Sequence, residues 1–140
     1  MKTKTIITVA IGTIFLGVMG WVIALRIQES ERTMTPGEVE SLRVSDSTVV
    51  LLDVRTPQEW GSDTGHLKGA LLVPIQDLEQ RIGDLEVYRH RTIIVYCRTG
   101  NRSGRAAGIL NGRGFTAYNM VGGIARWNAE HRATEKENQP

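Results

Sequence analysis

The chain has 140 residues, 41% hydrophobic and 23% charged, with 15 glycines and 4 prolines, which allows one domain of ordinary size and excludes a collagenous or wholly disordered chain. The formal charge is +2, and once Lys2 and Lys4 are set aside the remaining basic residues balance the 15 acidic ones, so no surplus of positive charge is left to bind nucleic acid. One cysteine, Cys97, and three separated histidines, His66, His90 and His131, exclude an intrachain disulfide and offer no zinc-ligand spacing, and no metal or cofactor is expected.

In chain order, Ile6 to Leu25 is a run of 20 residues without a charge, bounded by Lys4 and Arg26. As a helix it would rise about 30 Å, the thickness of a bilayer hydrocarbon core, so one transmembrane helix tethering the chain to a lipid bilayer is expected. The alternative is a cleaved secretory signal, but the run is longer than the apolar core of such signals and no small-residue cleavage site follows it. Basic residues flank the run on both sides and nearly cancel as an orientation signal. The short basic N-terminus is that of an export signal and places the folded part on the periplasmic or extracytoplasmic side, with a cytoplasmic orientation left open. The expected organisation is an anchor over 1–26, a tether over 27–33, a folded domain over 34–132 and a disordered tail over 133–140.

The domain opens at Thr35-Pro36-Gly37-Glu38, where a Thr cap, Pro at the first helical position and Glu three residues after the cap mark a helix start. Thr56-Pro57-Gln58-Glu59 repeats the spacing. Val49–Val54 (VVLLDV) is too short for a helix and apolar on both faces, which predicts a strand covered on both sides. Leu71–Val73, Ile93–Tyr96 and Ala117–Met120 read as further strands. Between and after them lie helical stretches over Gln76–Leu85, over Ser103–Asn111 with Gly112 as its stop, and over Ile124–His131. Such alternation predicts a small α/β domain with a mostly parallel sheet.

Cys97 ends the strand over Ile93–Tyr96, and Arg98-Thr99-Gly100-Asn101-Arg102-Ser103 leads straight into a helix. A lone cysteine is either an inert buried hydrophobe or a reactive thiol. At the carboxyl end of a strand and ahead of a helix N-terminus it meets backbone N–H donors and the positive end of the helix dipole, which lower a thiol pKa. Gly100 and Asn101 tolerate positive φ, so the loop can curl its amides around the sulfur, with Arg98 and Arg102 adding positive charge.

This seven-residue stretch resembles the active-site loop of the rhodanese family of sulfurtransferases. Two other stretches, Leu51–Ile75 (LLDVRTPQEWGSDTGHLKGALLVPI) and Asn119–Trp127 (NMVGGIARW), agree with that family in order and spacing, and the resemblance covers about residues 34–130. It implies a three-layer α/β/α domain around a mostly parallel five-stranded sheet. It further implies that Cys97 is the catalytic nucleophile, taking a sulfane sulfur from thiosulfate or a persulfide donor and holding it as a persulfide. Because the chain has no second cysteine, the acceptor is external: cyanide, a small thiol or a partner protein. Arg98 suits an anionic donor through bidentate contact, and the amides of Thr99, Gly100, Asn101 and Ser103 line the sulfur; Arg102 either joins in binding or points away to pin the loop. Asp53 and Arg55 act as supporting residues that brace the loop, His66 orders a turn, and Trp60 and Trp127 pack.

Three classes of function stay open: an active thiosulfate-type sulfurtransferase, a persulfide carrier or redox relay serving a partner protein, and a membrane-tethered binding module without chemistry. A cysteine phosphatase fits less well. Those enzymes use C-x5-R, a ring wide enough for phosphate, whereas four residues separate Cys97 from Arg102. Tyr96 stands where a histidine precedes the phosphatase cysteine, and no general acid for an alcohol leaving group is evident.

Overall fold

The apolar runs become the strands of one sheet. The computed structural model describes residues 32–136. Strands β1 (Thr33–Met34), β2 (Val50–Asp53), β3 (Leu71–Leu72), β4 (Thr92–Tyr96) and β5 (Thr116–Met120) lie in the order β1-β5-β4-β2-β3, every pairing parallel. Alternate residues of each strand face opposite sides, as the pleat requires. Val50, Leu52, Ile93, Val95 and Ala117 pack under a 3-10 helix (Ile82–Tyr88) and α3 (Asn101–Gly112). Leu51, Ile94, Tyr96 and Met120 pack on the other face, against Val39 of α1 (Pro36–Ser45) and Ile124 and Trp127 of α4 (Gly123–Ala129). The short α2 (Pro57–Trp60) follows β2. Three layers result, and a fully buried side chain such as Leu52 contributes about 2 kcal/mol through the apolar surface it removes from water.

Three expectations change. The fifth strand, Thr33–Met34, straddles the expected boundary between tether and domain, and the pairing begins one residue earlier still: the Arg32 carbonyl accepts the Asn119 N–H at 2.8 Å and the Met34 carbonyl accepts that of Val121 at 2.9 Å. The helix expected over Gln76–Leu85 is instead a series of turns followed by the 3-10 helix. Leu78, Ile82 and Leu85 are buried at helical spacing, yet Arg81 lends no side-chain cap and Gly83 weakens the interior. At the far end, Ala133 to Lys136 belong to the domain: Trp127 Nε1 donates to the Ala133 carbonyl at 3.0 Å, and His66 and Glu135 exchange two backbone hydrogen bonds at 2.8 Å each. The expected tail over 133–140 therefore begins too early; its last four residues lie outside the described ones. The expected membrane segment, Ile6 to Leu25, also lies outside them, and no helix among the described residues is long and apolar enough to cross a membrane.

Candidate active site

β4, the middle strand, delivers Cys97 to the carboxyl edge of the sheet. The chain turns at Gly100, whose φ of 105° only glycine adopts comfortably, and enters α3 without a side-chain cap. An uncapped start leaves backbone N–H groups without partners. Cys97 Sγ supplies one: the Gly100 N–H donates to it at 3.1 Å, and the Ser103 hydroxyl lies 3.4 Å away. Ser103 Oγ also lies 3.1 Å from the Gly100 carbonyl and 2.7 Å from Asn119 Oδ1.

α4 draws two carbonyls of the cysteine loop into its own hydrogen bonds. The Ile124 N–H donates to the Cys97 carbonyl at 2.9 Å and the Ala125 N–H to the Arg98 carbonyl at 3.0 Å. So close an approach requires glycine at 123, which sits at φ 55°; a Cβ there would lie 2.3 Å from the Cys97 carbonyl oxygen.

Burial is the largest single influence on the Cys97 thiol and raises its pKa. The Ser103 hydroxyl and the N–H groups of Ser103, Gly100 and Thr99 together outweigh it, so the thiol is held below its ordinary value. Cys97 itself is only 1% exposed. Arg98, the next residue, borders a depression of about 290 Å³ whose other walls are Arg55, Gln58, Glu59, Ser62 and Thr64.

The loop side chains divide into two sets. Arg98, Thr99 and Asn101 are exposed, and no carboxylate among the described residues pairs with Arg98. Arg102 is half-buried and bidentate on Glu59, at 2.7 and 2.6 Å, the contact that pinning the loop requires. Hydrogen bonds from Arg102, the largest influence, hold the Glu59 carboxyl at about 2. Glu59 also closes the capping box of α2 through Thr56; this carboxylate thus joins the start of α2 to the start of α3. The capping role was readable from the sequence, but the arginine partner 43 positions away was not.

Asp53 and Arg55 form a buried ion pair at the end of β2, with Arg55 Nη2 2.7 Å from Asp53 Oδ2 and Nε 2.9 Å from the same oxygen. The remaining Arg55 donors reach the carbonyls of Glu59 and Gly65 and the Thr64 hydroxyl. Arg55 therefore fastens the segment over 59–65 to the sheet and has no donor left for a substrate. His66 stacks on Trp60 at 3.7 Å between ring centroids and orders the chain by pairing with Glu135, while Trp127 is buried in the core. Tyr96 faces the opposite side of the sheet from Cys97, its hydroxyl accepting the Leu67 N–H at 3.1 Å. Asn119, quoted only as part of a stretch, is the residue at the loop that sequence reasoning left without a role.

A parallel α/β/α sheet with a single cysteine cradled at the carboxyl end of its middle strand defines the class. Residues 35–130 match the family model described as the rhodanese-like domain, and the chain belongs to that family. It is 36% identical over 96 residues to the probable adenylyltransferase/sulfurtransferase MoeZ of Mycobacterium tuberculosis, a match covering 68% of this chain and 24% of that protein. The chain thus spans about a quarter of the length of MoeZ. It is 33% identical over 73 residues to the thiosulfate sulfurtransferase PspE of Escherichia coli, covering 52% of this chain and 68% of that one. The crystal structure of a rhodanese-related protein from Thermoplasma volcanium superposes with a TM-score of 0.68 at 27% identity, covering 76% of this chain and 99% of the other. Family and sulfurtransferase relatives together support sulfur transfer as the general chemistry of the chain.

Proposed function

We propose that this domain is a thiosulfate-type sulfurtransferase in which Cys97 is the nucleophile. The observation that carries the reading is the sulfur's position: the Gly100 N–H and the Ser103 hydroxyl reach Sγ while α4 holds the carbonyls of Cys97 and Arg98. That surrounding favours a thiolate at neutral pH, the form that attacks sulfur. The thiolate bonds to the outer sulfur of thiosulfate, the donor's S–S bond breaks, and sulfite leaves with the electron pair. The charge now rests on the outer sulfur of a Cys97 persulfide. An acceptor thiolate or cyanide then bonds that outer sulfur, the bond to Sγ breaks, and the thiolate is restored.

The 1% exposure of Cys97 selects reactants that present one projecting atom. The outer sulfur of thiosulfate, cyanide and an extended thiol meet that condition; a phosphate ester, which must bring several oxygens to the nucleophile, does not. Arg98, exposed and unpaired among the described residues, meets the anionic donor at the rim. The absence of a second cysteine also supports a persulfide carrier that hands its sulfur to a partner protein. The uncharged run over Ile6–Leu25 supports placing this chemistry at a membrane, and the short basic N-terminus supports the extracytoplasmic side over the cytoplasmic one; fractionation of the full chain, with a protease-accessibility assay, tests that placement.

The experiment for the chemistry is intact-mass measurement after incubation with thiosulfate. One added sulfur on Cys97, removed by cyanide and absent in Cys97→Ser, is the expected result. An unmodified mass together with turnover of an aryl phosphate would reverse the reading.

A further inference from the structure

Three acceptors compete for one proton at Ser103. The residue is fully buried, and its hydroxyl lies 3.4 Å from Cys97 Sγ, 3.1 Å from the Gly100 carbonyl and 2.7 Å from Asn119 Oδ1. A serine carries a single O–H and donates fully to one partner at a time. Asn119 comes from β5, the neighbouring strand, and its amide lies against the first turn of α3: Oδ1 meets Ser103, and Nδ2 is 3.2 Å from where a Cβ on Gly104 would stand. Glycine at 104 leaves room for the amide, whose oxygen is turned to Ser103.

We propose that Asn119 is a positioning residue that sets, through Ser103, how strongly the sulfur is stabilised as an anion, the Ser103 proton passing between Asn119 and Sγ as sulfur is loaded and unloaded. This rests on the reading of Cys97 as the sulfur-carrying group. In the free thiolate the charge sits on Sγ, and a charge-assisted hydrogen bond draws the hydroxyl to it in preference to a neutral amide. When Sγ bonds the donor's outer sulfur and sulfite departs with the electron pair, the charge moves to that outer sulfur. Sγ becomes a neutral bridging atom, and the hydroxyl turns to Asn119 Oδ1, its nearest acceptor. When the acceptor takes the outer sulfur, the Sγ–S bond breaks and its electron pair returns to Sγ, where the Ser103 proton meets it again. Asn119 thereby keeps the hydroxyl satisfied in the loaded state, in a buried place where an unmatched donor is costly.

The charges around the sulfur leave this exchange to the hydroxyl. Arg102 interacts with Cys97 through its charge and by hydrogen bonding, but Glu59 is its dominant partner. Asp53 and Arg55 on β2 neutralise each other. α4 presents the uncharged Ile124 and Ala125 to the loop, and β5 presents Asn119 itself.

The pH dependence of Cys97 alkylation by iodoacetamide, measured on the full chain, reads the thiol pKa directly. Ser103→Ala removes the donor and raises the pKa by about one unit. Asn119→Leu removes the competing acceptor and lowers it, with Asn119→Ala as the smaller replacement if leucine prevents folding. In the double variant with Ser103→Ala, the Asn119 substitution has no effect, because the two act through one hydroxyl. Loss of packing alone gives no such opposite signs. A thiol pKa in the Asn119 variants equal to or above that of the wild type, or an Asn119 effect that persists without Ser103, overturns the proposal. Intact mass after thiosulfate is read on the same samples. The expected pKa order in a chain that takes up no sulfur would sink the transfer function, and with it the exchange on loading, and leave standing only the control of the thiol by Asn119 through Ser103; sulfur uptake without that order would overturn that control and leave the transfer function standing.

Discussion

The helices of this domain start in two ways. α1 and α2 begin with a threonine cap, a proline and a glutamate that closes a capping box, so their first N–H groups are satisfied within a few residues. α3 and α4 begin behind glycines at positive φ with no side-chain cap, and the N–H groups there serve the cysteine loop: Gly100 donates to Cys97 Sγ three residues back, and Ile124 and Ala125 reach across to the carbonyls of Cys97 and Arg98. A glycine in place of a side-chain cap costs a helix only about a few tenths of a kcal/mol. At α3 and α4 the donors left open by that deficit are the ones that arrange the loop and favour its negative charge. The first pair of helices stabilises itself; the second pair shapes the site.

Substitutions that break this contrast differ in size. The largest effect is expected at the open starts: Gly123→Ala forces a Cβ to 2.3 Å from the Cys97 carbonyl oxygen at a φ of 55°, at a cost of about 2–4 kcal/mol. Denaturant unfolding measures the loss, and a raised thiol pKa shows that the loop has moved with it. Glu59 links the two kinds of start. Its carboxyl, held at about 2 against an ordinary 4.5, contributes stability in full above pH 4.5, and that contribution is lost as the pH falls toward 2. Glu59→Gln therefore costs about 1–2 kcal/mol at pH 7, allowing for solvent screening of the pair, and urea midpoints of variant and wild type converge between pH 4.5 and 2.

At a self-contained start, Thr35→Ala lowers stability by about 1 kcal/mol and leaves thiol pKa and transfer rate unchanged, which thermal unfolding and a transfer assay check together. The smallest stability effect belongs to Arg98→Ala, within about 0.5 kcal/mol. That variant raises KM for thiosulfate several-fold with kcat little altered, and added salt narrows the difference because screening weakens the wild type's attraction.

What the sequence made legible follows from how each feature is encoded. Val50–Asp53 and Thr92–Tyr96 are buried on both faces and therefore appear as unbroken apolar runs. Thr33–Met34 is two residues long, too short to carry any periodicity, and joins the sheet only because β5 offers a free edge. Leu78, Ile82 and Leu85 fit an α-helix as well as turns and a 3-10 helix, since both bury one side of the segment. The cysteine loop was legible through its own residues and its place after a strand. The Arg102–Glu59 pair and the Ser103–Asn119 contact were not, because side chains brought together from distant positions leave no local pattern. Gly122 and Gly123 were visible as a motif, but their use, bringing α4 against the carbonyls of the loop, needed coordinates.

The central claim is that main-chain and hydroxyl donors hold the single thiol below its ordinary pKa despite its burial. Because the chain has one cysteine, labelling cysteine at Cβ with carbon-13 gives one resonance whose shift follows the charge on sulfur. A midpoint well below the ordinary thiol value of about 8.5 is the predicted result. A midpoint at or above that value would contradict the account, leaving a buried, neutral cysteine in a well-formed but unreactive loop.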